Sequence, residues 1–154
     1  MMNHRRGTRG FTLIEVLIVI GIIAILAAIV LVAINPGRQF GQANNTQRQS
    51  NLAAILNAVG QYTVDNRGAL PPGISTTKAE ISEALCTALV PTYLPSLPSD
   101  PKSNSLGATF TDCTDIDAND IKYDVVQDAE GRVTLSAPNT EDVDPTGTTP
   151  PITI

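Results

Sequence analysis

Apolar positions are distributed very unevenly along this chain. From Val16 to Ile34 nineteen consecutive residues are apolar or glycine, which as a helix would span about 28 Å, close to the hydrocarbon thickness of a bilayer. Asn35-Pro36-Gly37 interrupts the run. Proline lacks an N–H and clashes with the preceding turn, so a kink, a melted turn or a complete stop is expected there. The next stretch, Arg38 to Ser50, is polar apart from Phe40 and Ala43 and reads as a solvated neck. Beyond it Leu52, Ile55, Leu56, Val59 and Tyr62 recur at helical spacing and form one apolar stripe. The pattern predicts one long, bent helix from Phe11 to about Val64. Residues 11–34 are its transmembrane half, and residues 35–64 are a second half packed under a globular head.

That head is expected over residues 65–140. Asp65-Asn66-Arg67-Gly68 is a turn that closes the long helix, and Leu70-Pro71-Pro72-Gly73 keeps the chain extended. Thr77-Lys78-Ala79-Glu80 has the form of a capping box. With Ile81, Leu85 and Leu89 at intervals of four, it predicts a short second helix over about Lys78 to Val90, ended by Pro91. Four prolines between Pro91 and Pro101 exclude a regular helix and a central strand, leaving an ordered surface connection or a short polyproline stretch. Ile121, Tyr123 and Val125 alternate with polar residues, as do Val133, Leu135 and Ala137. Asp128-Ala129-Glu130-Gly131 joins the two as a hairpin. Ala108-Thr109-Phe110 is the candidate third strand of a small antiparallel sheet, since a lone hairpin is marginal. The fold class is therefore α+β. Residues 141–154, acidic and then Thr/Pro-rich, are expected as a flexible tail.

Charge sharpens the reading of the first segment. Arg5, Arg6 and Arg9 precede the apolar run, which keeps that end cytoplasmic and places the head outside the cytoplasm. Glu15 stands at the edge of the hydrocarbon, four positions after Phe11. An acidic group so placed is costly unless paired and marks a functional site. The run Arg9-Gly10-Phe11-Thr12-Leu13-Ile14-Glu15-Val16-Leu17-Ile18-Val19-Ile20 resembles the class III signal of type IV pilins and of the pseudopilins of type II secretion. The resemblance implies the type IV pilin fold and a leader, residues 1–10, cut after Gly10 by a prepilin peptidase that also methylates the new terminus at Phe11. It also implies that Glu15, the fifth mature residue, pairs with a neighbouring subunit's terminal amine during assembly. An ordinary secretory signal peptide and a plain single-span anchor are the alternatives; neither accounts for Glu15. The proline after the apolar run departs from the family, where it more often lies about one turn earlier, near Val32. Removing residues 1–10 discards three arginines and changes the formal charge from −5 to −8. Such an acidic surface offers no broad footprint for DNA or anionic lipid.

Cys86 and Cys113 are the only cysteines. Outside the cytoplasm two cysteines favour a disulfide, worth roughly 3–4 kcal/mol by loop closure. Two free core cysteines are the alternative; metal binding by the pair is disfavoured because the only histidine, His4, lies in the leader. The acidic run Asp112, Asp115, Asp117, Asn119 and Asp120 begins like a calcium loop, but Asp120 replaces the turn glycine and Val126 stands where the bidentate glutamate belongs. A looser Ca2+ site with Asp115 and Asp117 as side-chain ligands and a solvated acidic turn both stay open. Tyr93-Leu94-Pro95 with Leu97-Pro98-Ser99-Asp100-Pro101 resembles the loop before the sheet in major pseudopilins, a region that can hold structural calcium. No residue set argues for catalysis: a mature chain without histidine excludes a Ser-His-acid site, and no phosphate-cradling glycine loop is present.

The resemblance implies a structural subunit that polymerises through its first helix into a type IV pilus serving adhesion, twitching motility or DNA uptake. Its partners would be further copies of itself in a helical homopolymer, the prepilin peptidase/methyltransferase, an inner-membrane assembly platform and minor pilins. The precursor would reside as a single-pass protein of the inner membrane, and the product in an extracellular pilus. A major-type pseudopilin of type II secretion and a minor pilin acting as an adhesive or DNA-binding module share the same stem; the proline and acidic loops favour the first of these.

Overall fold

The computed structural model describes residues 10–114, 116, 120–141 and 150–154. The chain divides into two compact units, residues 1–39 and 40–154. Helix α1 runs over Leu13–Ile34 and helix α2 over Pro36–Asp65, so the single bent helix read from the sequence is two helices separated by one residue. That residue, Asn35, adopts a left-handed conformation with φ 46° and ψ 77°. Asparagine tolerates this region better than most side chains. Its carbonyl oxygen then accepts from Arg38 and Gln39, which starts α2. Pro36 occupies the first position of the new helix, where a missing N–H costs nothing and the ring's fixed φ is already helical.

α2 closes as its sequence predicts: Gly68, at φ 93°, returns its N–H to Thr63. The stripe on α2 is the floor of the head. Leu52, Ile55, Ala58 and Val59 are buried against Ile81, Leu85, Leu89, Tyr123, Val125 and Leu135, each large aliphatic side chain contributing about 1.5–3 kcal/mol by its burial. Leu56 and Tyr62 lie at the margin of this core, where the Tyr62 ring meets that of Tyr93 edge to face at 5.5 Å.

Over this floor lies a four-stranded antiparallel sheet in the order β1-β4-β5-β6, made of Ala79–Glu80, Asp124–Gln127, Val133–Ala137 and Ile152–Thr153. The β4–β5 hairpin forms with Gly131 at φ 84° in its turn, and β5 matches its alternating run. β4, however, starts only at Asp124: Lys122 takes φ 60°, so Ile121 and Tyr123 are buried from irregular backbone ahead of the strand and not within it. Other strands differ from expectation. The Thr77–Glu80 capping box does not form: Ala79 and Glu80 pair with Val125 and Asp124 as β1, and Glu80 accepts from the Lys122 N–H instead. The short helix α3 is accordingly only Glu83–Leu89, with Ser82 at its N-cap. Ile81, Leu85 and Leu89 are still buried, the first from an extended backbone. Tertiary pairing has overridden a local helix signal. Thr109–Phe110, the expected third strand, is β3 of a separate two-stranded sheet and pairs with β2, Leu97–Pro98, inside the proline-rich connection. That connection is not simply a surface loop, since Leu97, Ser99, Asp100 and Ser103 are buried. The expected tail carries β6, which pairs with β5.

Candidate functional site

At the start of α1 Thr12 is the N-cap. Its hydroxyl oxygen accepts from the Glu15 N–H at 3.2 Å, while the Glu15 carboxylate accepts from the Thr12 N–H at 2.8 Å and the Thr12 hydroxyl at 2.9 Å. This is a complete capping box, and both bonds to Glu15 arrive at its Oε2. Two otherwise unpaired helix-terminal donors are satisfied, and a negative charge sits at the positive end of the helix dipole. The helix therefore begins at Leu13 and not at Phe11, and Glu15 folds back over the turn that Phe11 leads into. Phe11 is 88% exposed, and every apolar side chain of α1 is exposed as well. Glu15 is the one charged residue on this 22-residue surface, which is long and apolar enough to cross a membrane. Gly10 and Phe11 precede the helix in exposed backbone.

In the head the segment expected to be a solvated neck supplies a buried polar centre. Arg48 and Asp100 are both wholly buried. Arg48 donates from Nε to Oδ2 at 2.7 Å and from a terminal nitrogen to Oδ1 at 2.9 Å, a two-pronged pair that matches guanidinium and carboxylate geometry. Its remaining nitrogen donates to Asn45 at 2.8 Å, and Asp100 also accepts from the Lys102 N–H. Burial opposes the charge on Arg48, but the bonds and field of Asp100 and Glu141 outweigh it and raise its pKa. Asn51, one turn along, donates to the Tyr123 hydroxyl at 2.9 Å and to the Ser99 carbonyl at 3.2 Å.

Glu141, four residues beyond the end of β5, joins the same centre. Its carboxylate accepts from Asn44, lies 2.9 Å from the Lys102 ammonium and 3.7 Å from Arg48, and its backbone N–H and carbonyl are both held by the Asn45 side chain. Burial works against its ionisation; the Asn44 bond, Lys102 and Arg48 prevail and hold the carboxyl below its usual range. The stabilisation from Glu141 is thus present above the ordinary glutamate pKa and lost as pH falls through the lowered one. Asn44-Asn45-Thr46, formally a glycosylation acceptor, has both amides committed to this clamp.

At the alkaline end the responsible group is Tyr123. Burial pushes its hydroxyl up to about 12, with the Asn51 bond acting in the opposite sense. The folded pKa lies above the unfolded value of about 10, so folding favours the neutral phenol. That stability is intact below pH of about 10 and drains away as pH rises through the folded value. Ultraviolet difference titration should show a late tyrosine phase near pH 12 that Tyr123→Phe removes. Ionisation of every tyrosine in one step near the ordinary value would contradict the burial of this ring.

Cys86 of α3 and Cys113 are bonded, with their Cα atoms 5.8 Å apart. Asp115 and Asp117, the candidate calcium ligands, lie outside the described residues. Beside them, Asp112 accepts from the Thr114 N–H and hydroxyl, and Asp120 from Ser105. Among the described residues no cluster of three His, Cys, Asp or Glu could hold a metal ion. The signal for Arg48 was present in the sequence: it stands one turn before Leu52 on the same face, so the apolar stripe continued backwards lands on it. The Thr12-x-x-Glu15 spacing likewise has the form of a capping box.

Comparison with known proteins adds two findings. Residues 5–31 match the prokaryotic N-terminal methylation motif. The chain is also 33% identical over 95 residues to the type IV wide pilus major component PilA4 of Thermus thermophilus, a match covering 57% of this chain and 71% of the relative. No solved structure is a significant match.

Proposed function

Because this chain belongs to the type IV pilin and pseudopilin-like family bearing an N-terminal methylation motif, we propose that it is a pilin that polymerises through α1 into a type IV pilus. Members are non-catalytic structural subunits with an N-terminal helix able to span a membrane. The observation carrying the proposal is a wholly exposed apolar helix whose one charge sits in its first turn. Residues 1–10 are the leader, removed after Gly10 by a peptidase that also methylates Phe11. The precursor waits in the inner membrane with residues 11–34 in the bilayer. An assembly platform, joined by minor pilins, then transfers it to an extracellular homopolymer in which the apolar run becomes the core.

In that core Glu15 pairs with the Phe11 amine of a neighbouring subunit. The amine and the carboxylate each lose water on entering an apolar environment, and a matched pair offsets a desolvation that either would bear alone. Sliding one helix past another would strand both charges, so the pair also sets the axial register. The capping box suits this role: it holds the carboxylate through Oε2 and, among the described residues, Oε1 takes no hydrogen bond. Adhesion, motility and DNA uptake are the activities such a filament serves. A secretion pseudopilin is the second reading, favoured by the proline-rich connection and its acidic neighbour, where calcium at Asp115 and Asp117 would fit. The relative's description as a pilus component favours the first.

Filaments sheared from cells and weighed intact should contain a chain that begins at Phe11 and carries one extra methyl. In cells coexpressing Glu15→Ala with the unmodified chain, the variant should be processed and inserted but largely missing from the sheared fraction. Glu15→Gln should behave similarly, since it keeps the shape and loses the charge. Subunits retaining Arg5 to Gly10, or equal incorporation of the alanine variant, would refute the scheme.

A further inference from the structure

The two edges of β5 are occupied very differently. On one side β4 pairs with it at four positions, from Asp124↔Ser136 to Gln127↔Val133. On the other, residues 152–154 are its cover: Ala137↔Ile152 and Ser136↔Thr153 are paired, and Leu135 exchanges both backbone bonds with Ile154 at 2.8 and 3.0 Å. No residue of this covering segment belongs to the buried core. Ile152 is partly buried, Thr153 is exposed and Ile154 is 38% exposed. Upstream, Glu141 is fastened independently to α2 and Lys102, as described above. Lifting residues 150–154 therefore breaks a few ladder bonds and the Ile152–Thr140 hydrogen bond, while the apolar core and the Glu141 clamp stay in place.

We propose that β6 is an exchangeable strand: within a polymer of this chain, residues 150–154 of one copy add to the β5 edge of a neighbouring copy. The inference rests on the polymer reading above. An open β5 edge is a row of backbone donors and acceptors that templates an antiparallel strand. The occupant that fits it is already visible, because the register, direction and side chains that seat Ile152, Thr153 and Ile154 on their own β5 are identical on another copy's. The covalent connection alone distinguishes the two arrangements. From Glu141 to Ile152 the chain can extend to at most about 36 Å, more than the diameter of a small domain of about 30 Å. An exchanged strand would join heads by main-chain hydrogen bonds, a second linkage in addition to the helical core.

Ser136 and Thr153 are directly opposite and flank a hydrogen-bonded pair, which makes theirs a non-hydrogen-bonded pair with Cα atoms about 4.5 Å apart, within reach of a disulfide. Full-length chains carrying S136C alone and T153C alone are to be coexpressed, and the sheared filaments mapped by non-reducing peptide mass spectrometry. Any 136–153 bond in this mixture must lie between chains. It is expected in filaments and lost from subunits dispersed in detergent before oxidation, whereas the double variant S136C/T153C closes within one chain in that dispersed state. If the double variant closes but the filaments of the mixed singles contain no 136–153 bond, the strand stays at home and the proposal is wrong. Failure of the double variant to close would remove β6 itself. If cells making the unmodified chain yield no filaments, the polymer reading falls, and the exchange with it.

Discussion

Arg48→Ala should lower the stability of the head by about 3–5 kcal/mol, because it leaves the Asp100 carboxylate wholly buried without its partner. The chain has three tyrosines and no tryptophan, all three in the head, so tyrosine fluorescence of detergent-dispersed protein follows its unfolding in denaturant directly. The midpoint should fall steeply with little change in slope. Removing both charges together, Arg48→Met with Asp100→Leu, should restore much of the loss, since apolar residues of similar volume often replace a buried pair without penalty. Recovery stays incomplete because the Lys102 N–H and the Asn45 amide oxygen lose bonds to the pair. A single variant with an unaltered midpoint would show that solvent reaches the pair.

Breaking the Cys86–Cys113 bond should cost roughly 3–4 kcal/mol, the loop-closure value for a separation of 27 residues. The effect falls first on α3. Seven residues are too few for a helix to persist alone, so its position depends on Leu85, Leu89 and the covalent tie at Cys86. The comparison is between denaturation with and without reductant: the unmodified chain should lose stability on reduction, and Cys86→Ala/Cys113→Ala should start at the lower value and not respond. Equal midpoints for all samples would mean that the bond contributes nothing to the folded state.

How much of this could be read from the sequence depends on how far apart the interacting residues lie. Period alone reveals Leu52, Ile55 and Val59 on α2, because one face of one element decides their burial; alternation also marks Ile121, Tyr123 and Val125 as buried, although only Val125 lies in β4. It does not reveal that Arg48 meets Asp100 across 52 positions, and a charged residue flanked by asparagines and glutamines reads as solvated. The two capping boxes make the same point in opposite directions. Thr77 and Glu80 have the required spacing, yet Ala79 and Glu80 join a sheet whose other strands lie more than forty residues away. Thr12 and Glu15 form the box, and among the described residues no strand pairs with them. The β6 strand was hidden for a related reason: two residues of strand, Ile152 and Thr153, are too short to show alternation, and they are held by an edge formed elsewhere. From Arg9 to Ile20 the order of residues is itself the signal, and the run lies inside the matched methylation motif of residues 5–31.

The left-handed Asn35 has a consequence for how order spreads along the chain. Helix growth is cooperative because each added residue extends an existing ladder, and a new ladder must pass through a nucleus with an unfavourable factor of about 10⁻³. Pro36 has no N–H to hand on to the ladder of α1, and Asn35 turns the backbone out of the helical region. Propagation from the bilayer segment thus stops at residue 35, and α2 must nucleate for itself, starting at the bonds from Arg38 and Gln39 to Asn35. A lipid-stabilised α1 can stay helical while α2 frays, and the head can melt without disturbing the segment that anchors it.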